Sequence, residues 1–145
     1  MSKSNAWETA LDLLVFNNTN AANIGDATGL RGSSAAGDLY LSLHTADPGE
    51  AGDQTTNEAA YTSYARVPVA RSGAGFTVSG NSVALASEIS FPAGTGGSGT
   101  ATYIGIGTAS SGAGVLLYSG TLTPNIVLGN GITPQIATTA FLIED

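Results

Sequence analysis

The chain has no cysteine. Disulfides, thiolate nucleophiles and cysteine-based metal sites are excluded together. It has one histidine, His44, which leaves a zinc site short of ligands. It has one lysine, Lys3, and three arginines, Arg31, Arg66 and Arg71. Charged residues are 10% of the total, against about 25% in an ordinary soluble domain. So few cations in a chain of net charge −7 cannot neutralise many phosphates, and no nucleic-acid partner is expected. Attraction to an anionic membrane is equally disfavoured. No apolar run approaches the ~18 residues of a spanning helix. Residues 1–5 lead into an amphipathic stretch rather than an apolar signal core, so synthesis in a cytoplasm without export is expected.

Recognisable catalytic patterns are also missing. No G-x-S-x-G elbow accompanies the abundant serines. No G-x-x-x-x-G-K-[ST] motif exists, so stretches such as Gly94–Gly97 read as turns. His44 alternates with a leucine face and is expected to point to solvent or an interface, not to serve a catalytic triad. Paired carboxylates for glycoside hydrolysis need a groove rimmed by aromatic residues. Only Glu88 lies near an expected strand, and Trp7 belongs to the helix. The reading is a protein that is not an enzyme, has no cofactor and takes no small-molecule substrate.

What is present is glycine (20 of 145 residues), alanine and small polar residues. This composition favours strands and turns over a helical bundle. The length suits one domain, 1–145. It is read as an N-terminal helix and arm over 1–37 and a β-sandwich over 38–145. Asn5 with Glu8 resembles a capping box. Trp7, Ala10, Leu11, Leu14 and Val15 follow on one helical face, with Asp12 off it. That face can pack on the chain's own sheet or dock on a neighbouring subunit. Residues 17–37, which include Arg31, read as a long loop or arm able to reach a neighbour.

From Asp38 the period is two. Leu39, Leu41 and Leu43 alternate with Tyr40, Ser42 and His44. A second long loop, 45–60, carries Asp47, Glu50, Asp53 and Glu58. These acids could supply oxygen ligands to a cation, though without the spacing of an EF-hand. In Tyr64–Arg71, Ala65, Val67 and Val69 are placed towards the core, with Arg66 and Pro68 on the other face. Further strands are expected at 76–78, at 83–91 as one interrupted strand or two short ones, and at 102–108, 115–122, 125–128 and 136–143. The glycines of 102–108 suggest close approach of another backbone. About eight strands with Gly-rich turns suit an all-β, jelly-roll-like β-sandwich with one short N-terminal helix. Trp7, Leu11, Leu14, Arg31, Asp47, Glu50, Asp53 and Glu58 are the expected contact residues.

The segment LYLSLHTADPGEAGDQTTNEAAYTSYARVPVARS, which begins at Leu39, resembles a family of small phage and prophage structural proteins often labelled tail fibre. ISFPAGTGG (89–97), TYIGIGTASSGAGVLLYSGTL (102–122) and GNGITPQIATTAFLIED (129–145) fit as well, so the resemblance spans roughly residues 4–145. It implies a virion protein. Similar small β proteins act as capsid cement, clamping neighbouring major capsid proteins on the outer head surface. The resemblance thus implies the major capsid protein and further copies of the chain, as a trimer, for partners. The alternative is a tail-fibre or baseplate component that binds a host receptor.

Overall fold

The N-terminal helical period is realised as α1, Asn5–Asn17, in a computed structural model that describes residues 2–25, 29–30 and 32–143. The N-cap is Ser4, not Asn5. Its side chain accepts from the Trp7 amide at 3.4 Å, and its carbonyl already receives the Trp7 and Glu8 amides. Ser4 therefore takes the half-in position that a capping hydroxyl favours. Asn18 ends the helix in the left-handed region (φ 54°), which asparagine tolerates better than most residues.

The packed stripe of α1 is displaced from the one with most apolar residues. Glu8, Asp12 and Phe16, spaced i, i+4 and i+8, are buried, while Trp7, Leu11 and Leu14 are half-buried. Asp12, expected off the packed face, is fully buried. Phe16 decides this. It has no solvent exposure and meets Phe76 edge-on at 5.1 Å between ring centres. One buried ring of this kind outweighs several half-covered aliphatic groups.

Nine strands follow among the described residues. They are β1 (Asp38–His44), β2 (Val67–Ala70), β3 (Phe76–Ser79), β4 (Ser82–Leu85) and β5 (Ile89–Ser90), then β6 (Ser98–Gly107), β7 (Leu116–Gly129), β8 (Gln135–Ile136) and β9 (Ala140–Ile143). The all-β class with a single N-terminal helix is what the chain adopts. The strands fall into sheets of four, three and two, in the orders β2-β1-β6-β7, β3-β4-β9 and β5-β8. A jelly roll would instead divide eight strands between two sheets.

The chain forms two compact units. The first comprises Met1–Asp38, Val69–Glu88 and Ala137–Asp145. Here α1 packs on β3 and β4, so the helix covers its own sheet. Phe16, Ala21, Val69, Phe76, Val83 and Leu85 are its buried apolar residues. The 17–37 loop folds back on itself at its base. The Ala21 and Leu30 backbones exchange hydrogen bonds at 2.9 Å, and Asn18 both donates to and accepts from the Ser33 backbone.

The second unit comprises Leu39–Pro68 and Ile89–Ile136. β1 pairs antiparallel with β6, placing Leu41 opposite Ile106 and Leu43 opposite Ile104. All four are buried, as alternation predicts. Ser42 and His44 on the opposite face are buried too, contrary to the expected solvent-facing His44. The period fails because β1 is an interior strand whose second face is covered by the 45–60 loop. The assignment of 64–69 is corrected in part: Ala65 is exposed and Arg66 is buried, whereas Val69 is buried and Pro68 exposed as expected.

Candidate interaction surface

The 45–60 loop is built inward from backbone contacts. Thr45 N–H donates to Asn57 O at 2.8 Å, and Ala59 N–H donates to Leu43 O at 2.8 Å. His44 Nδ1 donates to the Thr56 carbonyl at 2.8 Å. With the proton on Nδ1, His44 Nε2 accepts from Ser42 Oγ at 2.8 Å. Ser42 and His44 thus have the spacing of a nucleophile and its base, but both are sealed from solvent and the third partner is a carbonyl. Burial holds the His44 pKa below its ordinary value, and its bond to Thr56 opposes this.

Gly105 makes room for this pair. A Cβ there would lie 2.6 Å from both His44 Nε2 and Ser42 Oγ. The strand glycines that suggested a close backbone therefore admit side chains instead. Gln54 occupies a second slot. It is fully buried, accepts from Ala109 N–H at 2.9 Å, and fills the space where a Cβ on Gly107 or Gly114 would stand.

Glu58 anchors the far end of the loop. Its carboxylate receives Arg66 Nε at 2.7 Å and Nη2 at 2.8 Å, a two-pronged ion pair, and also Tyr64 Oη at 2.9 Å. Arg66 donates onward to the Ala109 and Gly112 carbonyls, tying the 108–115 loop to the same point. Tyr64 Oη accepts from Leu43 N–H. Burial pushes the Tyr64 hydroxyl well above the usual tyrosine range, so it remains a donor to Glu58. Glu58 is therefore structural.

Asp47 accepts from Gly49 N–H at 2.9 Å and closes the turn at Pro48. Asp53 accepts from Thr55 N–H and Oγ1, and the Thr55 hydroxyl and amide hold its pKa below the usual carboxylate value. Among the described residues, no three histidine or acidic side chains converge closely enough to hold a metal ion.

Asp47 and Glu50 do meet the sheet. With Gly49, Gly52, Tyr103 and the β7 segment 116–119 they line an open groove of about 440 Å³. The groove runs beside the last strand of the four-stranded sheet. β7 has 14 residues and pairs with β6 on one side, with no strand recorded on the other among the described residues. Leu117 and Val127 on this strand and Val115 just before it are 38%, 61% and 58% exposed. From Ile89 to Ile143 the chain has no charged residue at all.

Of the expected contact residues, Asp47 and Glu50 share the groove. Asp53 and Glu58 serve turns and the internal ion pair. Trp7, Leu11 and Leu14 lie on α1 in the other unit, and Arg31 lies outside the described residues. Sequence reasoning missed the β7 edge as a surface. It read 115–122 as an apolar strand but could not see that the strand lies last in its sheet.

No curated protein matches the chain. A family model does, over residues 14–144, and its description is podophage GP4 fiber I protein gp80. The chain belongs to that family, a phage fibre family, and is a virion structural component.

Proposed function

We propose that the protein is a non-catalytic component of a phage tail fibre, held in the particle by protein–protein contact. The observation that carries this reading is the long uncharged margin at β7, joined to family membership over residues 14–144. A bare strand margin invites another strand, a recurrent mode of protein recognition. The one serine–histidine pair described is buried beneath the 45–60 loop, where it fills space and fixes the loop.

A second reading is capsid cement, in which the chain sits on the outer head surface and bridges major capsid proteins. The acidity of the chain and its poverty in charge favour this, because a head-exterior protein faces away from packaged DNA. Copy number in purified virions separates the two. A fibre predicts about six to eighteen copies, following tail symmetry. Cement predicts copies on the order of the major capsid protein, including on heads without tails. Quantitative mass spectrometry of intact particles and of tailless heads gives the ratio. Abundance on tailless heads would overturn the fibre reading.

A further inference from the structure

We propose that the groove between the 45–60 loop and the start of β7 receives an arginine side chain from a different protein of the particle. This partner chemistry rests on the reading that protein–protein contact holds the chain in place. It is the same whether that place is the tail or the head.

A bulge in β7 makes the apolar wall of the groove. Ile106 stands opposite Tyr118 and Gly107 opposite Leu116, so Leu117 is an extra residue on β7. A regular strand would send Leu116 and Leu117 to opposite faces, but at the bulge both line the groove, with Tyr103 of β6. The loop supplies the charged wall. The Asp47 side chain accepts from Gly49 N–H at 2.9 Å, and its backbone carbonyl accepts from Asn57 Nδ2 at 2.9 Å. Gly52 N–H donates to Gly49 O at 3.1 Å, which closes the turn that carries Glu50. The backbone beneath both carboxylates is therefore set before a partner arrives, which lowers the ordering cost of binding.

Charge selects the occupant. Asp47 and Glu50 are the charged residues among the nine that line the groove, and neither pairs with a cation among the described residues. The complement of such a lining is a cation with an apolar stem. Arginine supplies both. Its methylene chain can lie along leucine, and its planar head pairs with carboxylates and stacks on aromatic rings. A volume of about 440 Å³ is in the range of pockets that take small ligands. A second copy is a poor source of this cation. It carries a net charge of −7, and its Arg66 and Arg71 are committed to internal bonds. A metal ion fits less well, because no third acidic or histidine side chain joins the pair among the described residues.

The test is an amide NMR titration of the full chain with the capped tripeptides Ala-Arg-Ala and Ala-Gln-Ala, and with maltose as a neutral sugar. Ala-Arg-Ala should move the amide signals of residues 49–52 and 116–119, and its binding should weaken as salt rises. Asp47→Asn keeps an acceptor for Gly49 N–H; combined with Glu50→Gln, it should weaken binding at least about fivefold. Glu88→Gln removes a charge outside the groove and should leave binding unchanged. Dispersed amide spectra show that both variants remain folded. Equal binding of Ala-Gln-Ala, unchanged binding by the double variant, or no response to Ala-Arg-Ala overturns the proposal. So does a groove that takes maltose in its place. A chain that copurifies with virions yet ignores Ala-Arg-Ala sinks the groove assignment alone, whereas copy number decides between tail and head.

Discussion

His44 is held neutral by its surroundings. Thr56 O can only accept, so Nδ1 keeps a proton, and Nε2 takes the hydrogen bond of Ser42. A second proton on the ring would put a positive charge in a buried site and force the Ser42 hydroxyl to turn from donor to acceptor. Burial accordingly lowers the folded-state pKa below the unfolded value of about 6.5. The unfolded chain therefore binds more protons in that region, and the folded state loses stability as pH falls below about 6.5. Thermal melts between about pH 7 and pH 5 should show this decline. Because His44 is the only histidine, His44→Gln should flatten the slope, whatever its effect on stability at pH 7. An unchanged slope in the variant would mean that another group carries the effect.

At the scale of elements, the C-terminus of α1 has no basic residue in its last turn. Arg71 supplies one from the chain between β2 and β3. Its guanidinium donates to the Val15 and Leu14 carbonyls at 2.6 and 2.8 Å, and to Ser33 Oγ at 2.7 Å. Unpaired carbonyls at a helix end need such partners, and a cation there also suits the helix dipole. Arg71→Met should cost about 2–3 kcal/mol in urea unfolding, since hydrogen bonds to charged groups contribute the most. Arg71→Lys should restore little, because an ammonium cannot span both the helix end and the 32–36 segment. Full rescue by lysine would mean that charge alone matters. Arg71 also illustrates what was legible in the sequence and what was not. Alternation placed Leu39, Leu41, Leu43, Ile104 and Ile106 correctly, because these residues share one buried face. It failed for Ser42, His44 and Arg66, whose burial depends on loops that return from elsewhere in the chain. It divided 115–129 into two strands at the Pro124 region, where the structure has one strand with a bulge. It placed Asp47 and Glu50 on a surface, but gave no sign that β7 borders them. Local period reports which residues share a face. It says nothing of which strand is last in a sheet.

For the whole molecule, charge is confined to the first 88 residues and the last two. Two of its three arginines, Arg66 and Arg71, donate inward to carbonyls and to Glu58. The cationic groups free to meet phosphates are therefore fewer than the formal count, and the expected result is no mobility shift of duplex DNA even at low salt. A shift that salt abolishes would contradict this. The same uneven distribution has a consequence for endurance. Between β6 and β7 no carboxylate, imidazole or ammonium takes up or releases a proton below alkaline pH, and no ion pair waits to be dissolved by salt. Acid or brine acts on this protein through its first 88 residues and its final two, while the longest strand pairing among the described residues remains electrically silent.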